Sequence, residues 1–467
     1  MSNRRKRCSI PRFRYCHALF TLIPLLSASI ASAKILPLTA PSGLSGYTDS
    51  DAERFLPNGE LLYYVSGNLN SGFASMACVY TGQTSVALSL GGANSSVLAT
   101  NSLGDIVGRA QWADGSFHGF LRRAGTMTDL GTAGEVESEG TALNEAGIVV
   151  GYTKDAFGKK RAFRWENGTQ TLLPTPLGSQ SWATGINLQG DVVGVVFTGG
   201  FQYPVLWRNG ALIDLAGQTG LYSATGTIHT VTDSGHVFFR ATGLNDFDEF
   251  VDLPYVYDGV SAIPLTLDGA SGTFAGANPD GDAIGYGRTS GGRMHAFLWS
   301  SGSFIDLTQL TGLTNASGYP ELILPGTIGF RGSGYDSSLV FKDLFFVYRD
   351  GQAHAATLGG ESSTAFDLSA TGEAVGAAQT ASGVNHAFRW SNGQTVDLGA
   401  TWEGESLAYG TNTTGSAVGY YVAEDWSYRA CLYQGGAIVD LGVNSSYSYA
   451  HLVNDDGISA GAYLTED

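Results

Sequence analysis

A short turn pattern returns along this chain at steps of 42 to 46 residues. The pattern is Asn-x-x-Gly, then an apolar pair and a second glycine, and its clear copies are 101–108, 144–151, 187–194, 278–285 and 412–419. Weaker copies centre on Gly59, Gly235, Gly326, Gly372 and Gly457. Together these give ten marker glycines at a nearly constant spacing. A fixed period of this length indicates a repeat architecture.

A second pattern follows each turn by about 15 to 20 residues. It reads His-Ala-Phe-x-Trp at 295–299 and 386–390, with variants at 161–165 and 203–207. A glycine turn comes next, and then an apolar stretch that ends in Asp-Leu-Gly, as at 129–131, 397–399 and 440–442. Apolar and small residues bounded by glycine turns are typical of strands. We therefore predict four short strands in each unit, named a to d in chain order.

Four antiparallel strands in about 45 residues match one blade of a β-propeller. The predicted fold class is all-β, a propeller-like array of about ten four-stranded units of 42–46 residues, with the unit near 311–360 the most divergent. Ten units exceed the usual four to eight blades. The sequence leaves open one wide ring, two smaller rings, or a ring with degenerate units outside it.

The two ends of the chain bear on how the array closes. The last unit stops after two predicted strands, while 35–39 resembles strand d of another unit at 263–267. An N-terminal strand that completes the last unit would close the ring and cover its exposed edges. The sequence offers no obvious source for strand c of that unit.

Residues 1–33 have the order of a secretory signal peptide. Six basic residues come first, an apolar run follows at 18–26, and Ala31-Ser32-Ala33 precedes Lys34. This order predicts cleavage near Ala33, a repeat domain over 34–467, and a secreted or periplasmic protein. A retained signal anchor is the alternative. Cys78 and Cys431, far apart in the chain, are predicted to be buried thiols in equivalent strands.

The charge balance limits the class of partner. The chain has 25 basic and 42 acidic residues, a net charge of −17. Removing the six basic residues of 1–33, which contain no acid, changes this to −23. Such an anionic chain is not typical of a nucleic-acid-binding protein. After 1–33, no stretch approaches the apolar length of a membrane span. The oligomeric state stays open.

The repeated motifs also carry a family resemblance. The succession of Asn-x-x-Gly-x-Val-Val-Gly, His-Ala-Phe-x-Trp and Asp-Leu-Gly resembles the bacterial HAF extracellular repeat family over nearly all of 47–464. The His-Ala-Phe triplet is intact only at 295 and 386, with His118-Gly119-Phe120 a near copy. The resemblance implies an exported repeat protein without assigned chemistry.

No catalytic or cofactor-binding motif is present in the sequence. There is no nucleophile elbow, zinc-protease helix motif, phosphate-binding loop or Cys-x-x-Cys pair. His118, His295 and His386 occupy equivalent positions, which favours a structural role over a metal site. The acidic loops at 48–51 and 245–249 offer oxygen ligands for calcium, but they lack a calcium-loop spacing and are interpreted as solvated loops. We predict no catalytic residue, metal or cofactor.

Variation is expected on the face that carries the b–c and d–a connections, because the a–b and c–d turns are short and uniform. Aromatic residues beside carboxylates on that face are candidates for stacking on sugars, and the candidate ligand-binding residues are Trp112, Trp402, Glu403, Glu405 and Trp426. The predicted function is a secreted, non-catalytic binding or surface interaction module for an extracellular glycan or protein.

Two alternatives remain at this point. The first is an extracellular carbohydrate-active enzyme, with its acids among Glu135, Glu137, Asp246, Glu249, Glu403 and Glu405, since glycosidases need two carboxylates about 5 to 10 Å apart. The second is a structural protein of the cell envelope. The sequence leaves open whether the chain is an enzyme, and the missing catalytic motif weighs against it.

Overall fold

The prediction of an all-β chain is confirmed by a computed structural model, which describes residues 15–21, 34–42, 44–69, 72–131, 134–268, 271–399, 404–443 and 445–464. Apart from two short 3₁₀ turns, Ala216–Thr219 and Gln309–Thr311, the regular elements of these residues are strands. No helix among them is long and apolar enough to span a membrane.

The strands in chain order are β1 Tyr15–Thr21, β2 Lys34–Pro37, β3 Asp49–Phe55, β4 Leu61–Leu69, β5 Gly72–Tyr80, β6 Ser85–Ala87, β7 Gly91–Thr100, β8 Ile106–Trp112, β9 Phe117–Arg123, β10 Thr126–Asp129, β11 Glu137–Leu143, β12 Val149–Lys154, β13 Lys160–Glu166, β14 Thr169–Leu172, β15 Gln180–Ile186, β16 Val192–Thr198, β17 Phe201–Arg208, β18 Ala211–Asp214, β19 Tyr222–Val231 and β20 Val237–Leu244. They continue with β21 Phe250–Tyr257, β22 Ala262–Pro264, β23 Thr273–Ala277, β24 Ala283–Arg288, β25 Met294–Ser300, β26 Ser303–Asp306, β27 Thr314–Leu324, β28 Thr327–Tyr335, β29 Phe341–Arg349, β30 Gln352–Ala356, β31 Gly359–Leu368, β32 Ala374–Thr380, β33 Asn385–Ser391, β34 Gln394–Asp397, β35 Ser406–Thr411, β36 Ala417–Val422, β37 Tyr428–Gln434, β38 Ala437–Asp440, β39 Ser448–Val453 and β40 Ser459–Leu464.

Successive groups of four strands form antiparallel meanders. We call β3–β6 unit 1, β7–β10 unit 2, and so on in fours to β35–β38, unit 9. Unit 10 combines β39 and β40 with β1 and β2. Units 7 and 8 share one eight-stranded sheet because β29 and β31 touch at a single parallel pair, Asp343 with Ser362. The strand order within each unit is the a-b-c-d order predicted from the two repeated motifs.

The repeated turn motif has a direct physical reason, which unit 3 illustrates. The side-chain oxygen of Asn144 accepts a hydrogen bond from the backbone N–H of Ile148 at 3.1 Å, which closes the turn between β11 and β12. The second glycine of the motif, Gly151, lies against β11 so closely that a Cβ atom would collide with the carbonyl oxygen of Glu139. In unit 3, asparagine and glycine thus both favour the tight a–b pair.

The same asparagines join one unit to the next. The side-chain amides of Asn101, Asn144, Asn187 and Asn412 each donate to a backbone carbonyl in the a–b turn of the following unit, at 2.9 to 3.3 Å. Buried serines near the start of strand a form a second set of links by accepting a backbone N–H from strand c of the preceding unit. They are Ser95, Ser138, Ser181, Ser363, Ser406 and Ser448.

Apolar side chains fill the space between units. Each hydrophobic cluster of the described residues is shared by two consecutive units, as where Val107 of unit 2 packs with Phe163 of unit 3. The cluster of Leu38, Tyr63, Met76 and Ala460 joins unit 10 to unit 1. This is the radial packing of a β-propeller, so the predicted all-β, propeller-like class is confirmed. Cys78 and Cys431 are buried free thiols, as predicted.

Unit 10 is completed by the N-terminal part of the chain. β2 is its outer strand, as the resemblance of 35–39 to strand d predicts. Its third strand is β1, which pairs with both β40 and β2. The sequence predicts that β1 belongs to a signal peptide, and it offers no other source for this strand. The predicted cleavage site at Ala33 lies outside the described residues.

A prediction tests the asparagine links. Replacing Asn187 by Ala removes the acceptor for the Asp191 N–H (2.8 Å) and the donor to the Thr232 carbonyl (3.0 Å). Since Asn187 is only 2% exposed, we expect the free energy of unfolding to fall by about 1–3 kcal/mol. Gln189→Ala, at an exposed position of the same turn, is the matched control and should have little effect. Equal denaturation midpoints for the two variants would show that the link contributes nothing.

Candidate functional site

Strand a of every unit contains a β-bulge at the same place. One residue of the strand has no partner on strand b, and these residues are Glu53, Leu98, Thr141, Thr184, His229, Ala275, Glu321, Phe366, Tyr409 and His451. A bulge redirects the side chain of its extra residue. Strand a contacts strand a of the neighbouring unit at most junctions, and we call this side of the units the inner side. The fold thus repeats the backbone at this inner position while the residue type varies.

Five tyrosines form a closed cycle between units 9 and 10, and we call them the tyrosine cluster. They are Tyr409, Tyr420, Tyr428, Tyr447 and Tyr449. Going round the cycle in that order, the ring centroids are 5.9, 5.3, 5.1, 6.1 and 6.0 Å apart. All five side chains are half-buried.

The cluster is extended on both sides by the bulge residues of neighbouring strands. The ring of Phe366 in unit 8 lies 5.2 Å from that of Tyr409, and the ring of His451 lies 5.9 Å from that of Tyr449. Phe366 is 43% exposed. The aromatic surface therefore runs across the inner strands of three consecutive units.

Burial and the close approach of other ionisable groups raise the pKa values of tyrosines in the cluster. Burial raises the pKa of Tyr420 well above its usual value, and the nearby hydroxyl of Tyr409 and carboxylate of Glu405 raise this pKa further. Burial, together with Tyr447 and Tyr449, also raises the pKa of Tyr409. Phenol oxygens and one carboxylate thus share a small volume, and the arrangement disfavours additional negative charge.

Trp426 stands in an unusual backbone conformation at the tip of the b–c loop of unit 9. Its φ of 64° is left-handed, and its side chain is 77% exposed. In the matching loop of unit 8 the left-handed position is held by a glycine, Gly383. A left-handed conformation costs a residue with a Cβ roughly 1–2 kcal/mol. An exposed tryptophan that accepts this strain is a functional candidate.

The loop below Trp426 is held by an ion-pair network. Arg429 binds Asp425 at 2.7 Å and approaches Asp440 at 3.5 Å. Hydrogen bonds from Ser427 and then the contact with Arg429 lower the pKa of Asp425 to about 2. These residues line a cleft that continues along the connection from unit 9 to unit 10. Asp425 and Asp440 are thus committed to Arg429 and to backbone and hydroxyl groups of the neighbouring turns.

The predicted ligand-binding residues divide among three groups. Trp426 and Glu405 both belong to unit 9, and Glu405 lies beside Tyr420. Trp112 is 40% exposed in unit 2, where its ring lies 5.2 Å from that of His118. Units 10 and 1 stand between unit 2 and unit 9, so the structure does not bring Trp112 together with Trp426. Trp402 and Glu403 lie outside the described residues.

The histidines of the His-Ala-Phe motif pair with the aspartates of Asp-Leu-Gly in the same unit. Nδ1 of His118 is 3.0 Å from Asp129, and the matching distances are 2.7 Å for His295 with Asp306 and 3.0 Å for His386 with Asp397. Each pair joins strand c to strand d. Within the part of the chain that the structure describes, no group of three or more His, Cys, Asp or Glu side chains is arranged to hold a metal ion.

The carboxylates that were candidates for a carbohydrate-active enzyme either form ion pairs with basic residues or lie in different units. Glu135 forms an ion pair with Arg161, and Glu137 forms one with Lys154. Asp246 and Glu249 belong to the b–c loop of unit 5, where the side chain of Asn245 bonds the backbone N–H of Glu249 at 2.9 Å. The described carboxylates of this set are thus distributed over units 3, 5 and 9.

Sequence reasoning missed the tyrosine cluster. Its signal was present, since seven of the 22 tyrosines fall between positions 409 and 449. The repeat pattern consists of residues that recur from unit to unit, and these tyrosines do not recur. A search for residue types concentrated in one or two units would have found them.

Comparisons with known proteins give likenesses of structure only. No protein-family model matches the sequence, and no curated protein matches it. Among solved structures, the β-propeller domain of the trilobed protease from Pyrococcus furiosus is similar with a TM-score of 0.34 at 9% identity, covering 68% of this chain and 96% of that one. A puromycin hydrolase mutant has a TM-score of 0.33 at 14% sequence identity, and the match covers 74% of this chain and 59% of that one. TolB from Acinetobacter baumannii has a TM-score of 0.29 at 13% identity, and the match covers 62% of this chain and 77% of that one.

These comparisons correct the predicted function. Two of the similar chains belong to a protease and a hydrolase. The prediction of a non-catalytic binding or surface interaction module for a glycan or protein was wrong. Neither the non-catalytic role nor the two alternatives is carried forward.

The raised tyrosine pKa values lead to a prediction of alkaline instability. Unfolded tyrosine ionises with a pKa of about 10, whereas the pKa of Tyr420 in the folded chain is higher. The unfolded state therefore loses this proton first, so stability is unaffected below pH 10 and falls as the pH rises toward the folded pKa. Denaturation midpoints from pH 8 to 11 should fall less for Tyr420→Phe than for the wild type. Tyr335→Phe, an exposed tyrosine in unit 7, is the control, and identical pH curves for all three would contradict the prediction.

A second prediction concerns the strain at Trp426. Glycine adopts the left-handed conformation without cost, whereas alanine keeps the strain and also lacks the indole. We expect Trp426→Gly to be more stable than Trp426→Ala by about 1 kcal/mol. Gly383→Ala, the reverse change in unit 8, should lose a similar amount. A Trp426→Gly variant less stable than Trp426→Ala in chemical denaturation would show that this backbone is not strained.

Proposed function

We propose that this chain is an exported, ten-bladed β-propeller that binds organic cations at the tyrosine cluster. The ligand class consists of molecules that present an ammonium or guanidinium group. The single observation that carries the proposal is the closed cycle of five tyrosines with Glu405 beside it. Export follows from the order of basic, apolar and small residues in 1–33, and the similarity to HAF repeat proteins agrees with it.

A single ring of ten blades is supported by the packing between units. Consecutive units share a hydrophobic cluster, and the cluster around Leu38 and Tyr63 takes in Ala460 of unit 10. The side chain of His451 in unit 10 also lies 3.2 Å from the carbonyl oxygen of Ala52 in unit 1. A ring closed in this way has a continuous inner rim on which the bulge residues lie.

The spacing of the tyrosines suits a cation. Aromatic faces attract a cation within about 6 Å of the ring centroid, and aromatic cages for quaternary ammonium ions use this attraction. A regular pentagon with sides like those of the cluster has its centre about 5 Å from each corner, inside that range. Several rings would thus act on one ligand charge.

The charge of the site and the net charge of the whole chain both favour a cation over an anion. Glu405 and the crowded hydroxyls around Tyr420 disfavour an anion. The net charge of −17 also gives the surface a negative potential that concentrates cations near it. Trp426, at the tip of the loop that leads into Tyr428, supplies a further exposed aromatic face on the same unit.

The test compares ligands that differ only in charge. Choline and its neutral isostere 3,3-dimethylbutan-1-ol have nearly the same shape, so calorimetric titration of both separates charge from size. We expect choline to bind about tenfold tighter, which corresponds to roughly 1–2 kcal/mol of cation–π attraction in a partly desolvated site. N-acetylarginine amide is titrated in the same way. Tighter binding of this compound than of choline would identify a peptide side chain as the ligand. Equal binding of choline and the alcohol, or no binding of either cation, would overturn the proposal.

Variants locate the binding on the cluster. Tyr420→Leu and Tyr449→Leu should each weaken cation binding about tenfold, since each removes one ring of the cycle. Tyr335→Leu is the matched control, because Tyr335 is an exposed tyrosine with an aromatic neighbour in unit 7, its ring 5.6 Å from that of Phe341. A loss of binding in the control as large as in the cluster variants would place the cation elsewhere.

A further inference from the structure

The third strand of unit 10 comes from the segment that export would remove. β1 pairs antiparallel with β40 from Tyr15 opposite Leu464 to Phe20 opposite Ser459. On its other side it pairs antiparallel with β2, from Ala18 opposite Pro37 to Thr21 opposite Lys34. β1 precedes Ala31-Ser32-Ala33 in the chain. Cleavage after Ala33 would therefore release β1 while leaving both of its neighbours.

The strands on either side of β1 have anchors that do not depend on it. Leu38, which follows β2, is only 6% exposed and packs with Tyr63 and Met76 of unit 1. The hydroxyl of Tyr63 donates to the carbonyl oxygen of Thr39 at 2.9 Å. On the other side, β40 pairs with β39 along its length. Because neighbouring strands lie 4.7–4.9 Å apart, loss of β1 would leave a slot of about 9.6 Å between β40 and β2.

The register shows what kind of strand the slot suits. In units 2, 3, 6 and 8 the glycine of strand b stands opposite a phenylalanine of strand c, as Gly285 stands opposite Phe297. In unit 10 the matching glycine, Gly461, stands opposite Ala18. Ala18 is smaller than the phenylalanine of these four units and than the valine or cysteine opposite the same glycine in units 4, 7 and 9. A segment of the His-Ala-Phe-x-Trp type matches the position better.

We infer that the exported chain binds an extended segment of a partner protein as the missing strand of unit 10. This inference rests on the export part of the proposed function. The partner segment would pair antiparallel with both β40 and β2, where removal of β1 leaves two unpaired backbone edges. Addition of a strand to such an edge is a recurrent mode of peptide recognition, in which the backbone supplies affinity and alternate side chains supply specificity. The chain itself already makes this interface with β1.

The experiment uses the chain as the cell processes it. The exported protein is purified, its N-terminus is determined by mass spectrometry, and a labelled peptide with the sequence of β25, residues Met294–Ser300, is titrated by fluorescence anisotropy. We expect an N-terminus at Lys34 and saturable binding. The same peptide with Phe297→Pro, which loses a backbone donor and the large side chain, should bind at least tenfold more weakly.

An uncleaved chain is the matched control. Ala31→Arg with Ala33→Arg removes the small residues of the cleavage site, so this variant retains β1 and should bind the peptide at least tenfold more weakly than the exported chain. Three results would overturn the inference: equal binding to both chains, an exported chain that still contains residues 15–21, or an exported dimer that the peptide does not dissociate, since a second copy would then fill the slot. Choline titration of the same samples separates the two proposals, because the tyrosine cluster contains no residue of β1 or β2.

Discussion

A buried asparagine that bonds its own turn and the next turn along the ring is the interaction on which this structure depends. Asn144 closes the turn between β11 and β12 with its side-chain oxygen and reaches the carbonyl of Asn187 with its amide nitrogen. Two bonds from one side chain fix the a–b turn relative to the following unit. Insertions in strands a and b would move that turn, so the link favours a constant spacing in the four units that make it. Differences between units must then arise where the asparagine has no influence, in the b–c loops and at the bulge of strand a.

Much of this organisation could be predicted from the sequence because it depends on local, repeated contacts. The turn asparagines, the strand order and the place of β2 in unit 10 follow from residues that recur or resemble one another. The tyrosine cluster could not be predicted in this way. Tyr409, Tyr428 and Tyr449 lie on three strands of two units, and their contact depends on how far one unit is rotated against the next. For Trp112 and Trp426 the sequence predicts a shared site that the structure does not form. Both lie toward the face of the b–c loops, but they belong to units that other units separate.

The position of the cluster explains why aromatic residues accumulate there. The bulge aims one side chain of each inner strand toward the centre, and in units 8, 9 and 10 that residue is Phe366, Tyr409 or His451. Elsewhere on the rim the same backbone position carries varied residues such as Thr141, Glu321 and Leu98, and one further ring, His229. The scaffold does not require aromatic rings at this position, because other units form the same bulge without them. The fold therefore does not account for the concentration of aromatic rings at the bulge positions of units 8, 9 and 10.

Trp426, in unit 9, is a second unusual residue in this part of the chain, because its backbone is strained and its side chain is exposed. Most loops of its kind place a glycine where the backbone turns left-handed, and glycine accepts this conformation without strain. A tryptophan there costs stability and, at 77% exposure, recovers little of it through burial. Two departures from what the fold alone would favour, a strained exposed indole and a cycle of half-buried tyrosines, thus occur within one pair of neighbouring units. The loop strain is not confined to this pair of units, since Leu339 in unit 7 has a φ of 60° at the matching position and is 80% exposed. The cycle of tyrosines is therefore the feature on which the proposed cation site depends.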